Sequence, residues 1–224
     1  MTEDAMPRRI ESTTQCDTTT KPHILLVYID TQGSFVFADG ELPVSGAQEL
    51  VGALSAYLAQ IDPREIAAFL ATFDTHSPEA YLGSRENAGD RTTGAPGFPL
   101  HCVKGTPGWE NVVNLRIPAA AGVPVYKLEK DVFDMFAKSE FMVERLFSDE
   151  PAEHRDTFIS LLQAEGIDTV RIAGFASDFC VNWAIQGFLA RGMKVEIIEH
   201  LVAGIGMDIR QTADAFFPGR VTFV

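Results

Sequence analysis

Cysteine is scarce: there are three in 224 residues, Cys16, Cys102 and Cys180, an odd count at wide spacings. That excludes a disulfide framework and a Cys-x-x-Cys zinc site. Free thiols fit a reducing compartment. Basic residues are also short, 18 Lys and Arg against 31 Asp and Glu, for a net charge of −13. Phosphate binding needs clustered cations, so no nucleic-acid partner is expected. Nor is attraction to an anionic membrane surface. No apolar run approaches the roughly 18 residues of a membrane span. The first residues hold no apolar stretch of signal-peptide length, so the expected location is the cytoplasm. Residues 1–21 are polar, threonine-rich and without hydrophobic period. They read as a disordered tail, which gives Cys16 no role, ahead of one domain over 22–224.

What is there is an alternation of strands and helices. HILLVYID (23–30) is a continuous apolar run, as expected of a central parallel strand buried on both faces. Residues 46–60 place Leu50, Leu54, Tyr57 and Leu58 at helical intervals. Residues 66–74 read as a strand, with helix as a rival because of the alanines. Residues 75–108 form a long loop rich in Gly and Pro, of the kind that is usually functional. A third strand spans 123–130. The charged, amphipathic segment 131–166 reads as two helices divided at Pro151. Strands at 168–176, 193–200 and 220–224 alternate with helices at 177–192 and 208–217. Ser177 or Asp178 is the expected N-cap of the former. This is the pattern of an α/β fold, a doubly wound, mainly parallel sheet with helices on both faces.

Ligands of such sheets bind at the carboxyl ends of the strands. Asp30 closes the first strand, Lys130 the third, and Cys180 opens the helix after the fourth. Taken singly, each has an ordinary reading: a turn-capping Asp, a solvated Lys, a small buried Cys. Together they aim a carboxylate, an ammonium and a thiol at one sheet edge. A helix N-terminus and a neighbouring cation both favour thiolate, and a carboxylate can relay its proton. A second group lies in the loop. Asp74 and His76 alternate at a strand end and can face one ion, with Glu86 and His101 following. Two imidazoles and two carboxylates suit one divalent metal, zinc first, with iron or manganese also allowed. Loop acids and histidines are more commonly just solvated. His23, His154, His200, Trp109 and Trp183 read as packing or surface residues.

These residues carry a resemblance. VYIDTQGSFV and GFASDFCVNWA are similar to the base and nucleophile motifs of the isochorismatase-like cysteine hydrolases. DTHSPEAYLGSRE…FPLHCVKGTPGW is similar to the loop of the nicotinamidases among them. The match runs from about His23 to the C-terminus. Lys130 is chosen over Lys127 because the family lysine precedes aromatics at the spacing of Phe133 and Phe136. The resemblance implies a catalytic trio of Asp30, Lys130 and Cys180. It implies an oxyanion hole at the amides of Ala176 and Cys180 after a cis Phe175–Ala176 bond. It also implies substrate contacts at Gln32, Phe35 and Phe98, and metal ligands Asp74, His76, Glu86 and His101. The implied activity is hydrolysis of nicotinamide to nicotinate and ammonia through a cysteine thioester, in NAD salvage, by a homo-oligomer. Rival readings are an amidase for another small amide (maleamate, ureido or carbamoyl), a metal hydrolase in which Cys180 is only structural, and a non-catalytic binding protein.

Overall fold

The computed structural model describes residues 22–89 and 97–224. The tail assigned to 1–21, with Cys16, lies outside the described residues. In chain order the elements are β1 (Ile24–Ile29), α1 (Gly33–Val36), α2 (Ala47–Leu58), β2 (Ile66–Asp74), α3 (Pro78–Tyr81) and α4 (Arg85–Ala88). Then come α5 (Arg116–Ala120), β3 (Val125–Lys130), β4 (Met142–Arg145), β5 (Glu153–His154) and α6 (Arg155–Ala164). The chain continues through β6 (Thr169–Phe175), α7 (Cys180–Ala190), β7 (Lys194–Ala203), α8 (Ile209–Phe216) and β8 (Val221–Phe223).

The strands form one sheet in the order β5-β4-β3-β2-β1-β6-β7-β8. It is parallel except for the antiparallel pairings of β4 with β3 and with β5. This is the doubly wound α/β arrangement. β1 is buried throughout because both of its faces are covered. Leu25, Val27 and Ile29 join the core under α6 and α7, while Leu26 and Tyr28 join the core under α2. The alanines of β2 do not make a helix, since that strand is buried between β1 and β3. From β1 the chain winds outward through β2 and β3, then returns to lay β6 on the other side of β1. The winding reverses between β1 and β6, so a crevice opens at their carboxyl ends. Gly174 on β6 has φ +115°, and an added Cβ would meet the Ile29 carbonyl oxygen at 2.1 Å. Only glycine lets these two strands approach so closely there.

Of the two helices expected over 131–166, the one after Pro151 forms as α6 and the one before it does not. Residues 131–141 are irregular, β4 and β5 extend the sheet edge, and only α6 is helical. The reason is tertiary. Arg155 is fully buried and donates from Nη1 to the carbonyls of Met135 and Lys138, at 2.6 and 2.8 Å. Its guanidinium also lies over the Phe136 ring. Those carbonyls are thereby withdrawn from any helical ladder. Replacing Arg155 with methionine leaves them without their donor. The expected cost is about 3 kcal/mol, a fall of roughly 6–12 °C in Tm, to be read by calorimetry. No change in Tm would mean that Arg155 does not hold this segment.

Candidate active site and metal centre

Asp30, at the end of β1, adopts φ +47°, a left-handed backbone unusual for a residue other than glycine. The Thr72 hydroxyl donates to its Oδ1 at 2.5 Å and accepts its backbone N–H at 3.1 Å. Lys130 reaches across from β3. Its Nζ lies 2.7 Å from Asp30 Oδ2, 3.5 Å from Asp74 Oδ1 and 3.5 Å from Cys180 Sγ. One buried ammonium thus touches both carboxylates and the thiol. Burial by itself would lower its pKa, but Asp30 and Asp74 outweigh this and hold it well above the usual lysine value. Burial also pushes the Cys180 thiol well above its ordinary value, with Lys130 pulling the other way and Asp30 and Asp74 adding to the rise.

Cys180 begins α7. The expected caps, Ser177 and Asp178, do not cap this helix. The Ser177 hydroxyl donates to the Met207 carbonyl, and the Asp178 carboxylate accepts the N–H groups of Ile205, Gly206 and Met207. Phe179 takes the cap position without a side-chain bond. Both polar side chains are drawn to the loop after β7, because three converging N–H groups bind a carboxylate better than one cap bond. The amides of Ala176 and Cys180 have no hydrogen-bond acceptor among the described residues. The Phe175–Ala176 peptide is cis.

The loop group converges as well. Asp74, His76, Glu86 and His101 are all buried, and one ligand atom from each lies within 4.8 Å of all the others. β2 supplies Asp74. A bridge between His76 and Val103 closes the loop on itself, and α4 swings Glu86 inward. Asp74 Oδ2 stands 3.1 Å from His76 Nε2 and 2.9 Å from His101 Nε2. His101 Nδ1 sits 2.8 Å from the Pro99 carbonyl oxygen, which can only accept. Nδ1 is therefore a donor to that carbonyl, and Nε2 is the nitrogen turned toward the cluster. Tyr81 packs edge-on against both imidazoles.

Two observations test whether these residues fit a cation. Neither oxygen of the buried Glu86 carboxylate has a hydrogen-bond partner; His76 Nε2, 3.2 Å from Oε2, is close but misaligned. Such an orphaned carboxylate is costly unless a cation answers it. His76, whose pKa burial would lower, is instead pushed up to about 9 by Asp74 and Glu86. A proton on His76 and a cation thus answer the same negative charge. The donor set fits one divalent metal, whose binding releases that proton. Asp74 belongs to both groups. Burial would raise its pKa, but Lys130 and the imidazoles of His101 and His76 hold it well below the usual carboxylate range.

Phe35 is buried and meets His101 edge-on. Phe98 packs against Phe133 and Phe179. A cavity of about 680 Å³ opens beside them, lined among others by Glu86, Phe98, Phe133, Phe179 and Trp183. Gln32, expected to touch substrate, is fully buried and bonded to the backbone. Its Nε2 donates to the carbonyls of Asp74 and Trp109, and its Oε1 accepts the Asp74 N–H. Both donors are spent on backbone, so it holds Asp74 in place. Thr72 and Tyr81 escaped the sequence reading. Thr72 stands two residues before Asp74 on β2, and strand alternation places both side chains on one face, a signal that could have found it.

The family model of the Isochorismatase domain matches residues 24–216. The nicotinamidase/pyrazinamidase of Mycobacterium tuberculosis is 27% identical over 187 residues, spanning 82% of this chain and 88% of that protein. The crystal structure of Pyrococcus horikoshii pyrazinamidase in complex with zinc superposes with a TM-score of 0.66 at 24% identity. The match covers 91% of this chain and 99% of that one. PnC1 from L. infantum, in complex with nicotinate, gives a TM-score of 0.63 at 22% identity, over 92% and 93% of the two chains. At these identities the structural likeness speaks for the fold. Among the described residues no helix is long and apolar enough to cross a membrane.

Proposed function

The chain belongs to the isochorismatase family and is an amidohydrolase, and on that premise we propose that it hydrolyses nicotinamide to nicotinate and ammonia, a step of NAD salvage. One observation carries the reading. Asp74 joins the Asp30–Lys130–Cys180 group to the four-residue metal cluster, so a thiol and a cation site share one buried wall. A relative named as a nicotinamidase, alike over most of both chains, supports the substrate.

In this reading Asp30 Oδ2, paired with Lys130 Nζ at 2.7 Å, takes the proton of Cys180. The thiolate attacks the amide carbon, and the free amides of Ala176 and Cys180 hold the developing oxyanion. Asp30 passes the proton to departing ammonia, leaving a thioester on Cys180. Asp30 then activates water, which releases the acid. Lys130 balances the negative charge as it moves between carboxylate and sulfur. Phe35 and Phe98 flank the ring and fix its orientation. Asp74, His76, Glu86 and His101 would hold one divalent ion, zinc before iron or manganese, which would supply Lewis-acid chemistry beside the substrate ring.

The test is ammonia release from nicotinamide by purified protein, before and after chelation and after adding back zinc, iron(II) or manganese. Release that is lost on chelation and restored by one of these ions is expected. The 680 Å³ cavity, which adjoins Glu86 and Phe98 but is lined by none of Asp30, Lys130 and Cys180, favours a second reading, an amide bulkier than nicotinamide that extends from the trio into it. No release from metal-loaded protein would overturn nicotinamide and direct the same assay to larger carboxamides.

A further inference from the structure

Asp30 is asked to be a base, yet a carboxylate has two oxygens, and a base works best when one of them is aimed at the proton it must take. The structure distinguishes the two. Oδ1 is bound by the Thr72 hydroxyl at 2.5 Å. Oδ2 is paired at 2.7 Å with Lys130 Nζ, the same ammonium that lies 3.5 Å from Cys180 Sγ, so it is the oxygen on the side of the thiol. The same hydroxyl accepts the Asp30 N–H at 3.1 Å. One side chain thus grips the residue at both its backbone and its carboxylate. The backbone it grips is left-handed, at φ +47°. A conformation of this kind is unfavourable for a residue with a side chain and persists only where its surroundings enforce it. Thr72 is fully buried in the middle of the sheet, and its hydroxyl has no other partner among the described residues.

We infer that Thr72 is the positioning residue of the base: it fixes the rotation of the Asp30 carboxylate, so that Oδ2 alone is presented to the Cys180 proton. Thr72 acts through Asp30, from β2, the strand paired beside it. The inference rests on the reading in which Asp30 deprotonates Cys180. The group requires a hydroxyl that donates and accepts at once, which serine retains and valine, of similar shape, lacks.

The experiment compares wild type, Thr72→Val and Thr72→Ser with Asp30→Asn as reference. Turnover of nicotinamide is measured together with bound metal. A second readout needs no substrate: the rate at which iodoacetamide alkylates Cys180, resolved from Cys16 and Cys102 by peptide mass. In Thr72→Val, kcat is expected to fall about 10–100-fold, the usual cost of losing an orienting partner, with KM and bound metal near wild type. Cys180 alkylation slows toward the Asp30→Asn rate. Thr72→Ser restores both. Equal impairment of valine and serine variants would make Thr72 a packing residue and overturn the inference. So would wild-type alkylation and turnover in Thr72→Val. Should Thr72→Val fail to fold, Thr72→Ala is compared with Thr72→Ser by the same two rates and the same criteria. Should wild type leave nicotinamide untouched, the substrate proposal fails while the alkylation rates still decide the role of Thr72.

Discussion

Replacing Cys180 with alanine is expected to lower nicotinamide hydrolysis by about 10⁴-fold or more, equivalent to roughly 5 kcal/mol of transition-state stabilisation. Without sulfur there is no thioester, and water must attack the amide in a single step. Asp30 could still deprotonate that water, and the free amides of Ala176 and Cys180 could still receive an oxyanion, so a residual rate is expected. Stability should change little. The side chain is small and already sits beside Val181 and Ala184 in the core, so deleting one sulfur costs about 1 kcal/mol. Serine in its place should be nearly as inactive, because a hydroxyl loses its proton far less readily than a thiol in a site that already raises the thiol pKa. The measurement is ammonia release with metal content determined on the same sample. A metal-loaded Cys180→Ala protein with wild-type activity would mean that the metal cluster alone does the chemistry and that the cysteine is structural.

The second large effect is on stability. Lys130→Met is expected to destabilise the chain by about 3–5 kcal/mol, the usual penalty for removing one partner of a buried ion pair. Methionine nearly matches lysine in volume, so the loss is one of charge rather than packing. It strands Asp30 and Asp74, both buried, against each other. The pH dependence has a definite sign. Asp74 lies well below its ordinary 3.8 in the folded chain: burial opposes this, and Lys130 and the imidazoles impose it. Its stabilising contribution is therefore fully present above pH 3.8 and is lost as pH falls through the folded value. Without Lys130 that depression shrinks, so the difference between mutant and wild type narrows in acid. Denaturant unfolding of chelator-treated protein at neutral and acid pH checks this. A difference that stayed constant across that range would mean that Lys130 is not paired with Asp74. Activity should fall as well, since the charge moving between Asp30 and Cys180 loses its counter-ion.

Several particulars were legible in the sequence because they depend on local pattern. The apolar run of β1 announces a strand buried on both faces, and its end places Asp30 at the sheet edge. Ligand chemistry singled out Asp74, His76, Glu86 and His101, although nothing local showed that α4 and the His76–Val103 bridge would bring them together. Other expectations failed for reasons that lie far away in the chain. The charged periodicity of 131–166 does give a helix after Pro151, but before it β4 has an open edge of β3 to pair with, and Arg155 takes the carbonyls a helix would need. Ser177 and Asp178 are good caps by residue type, yet the loop at 205–207 offers them better partners. Gln32 sits in a motif beside the base, and only the fold reveals that its amide is spent on the backbone of Asp74 and Trp109.

The division has a physical basis. Hydrophobic period and strand ends are properties of neighbouring residues, so the sequence by itself determined the doubly wound sheet, its carboxyl edge and which side chains arrive there. Electrostatic state is a property of burial and of partners distant in the chain. Only the tertiary structure decided that Lys130 touches two carboxylates and a thiol, that Glu86 is left without a hydrogen bond, and that Thr72 grips Asp30. Each of these contacts joins residues dozens of positions apart, and no local pattern encodes such a distance.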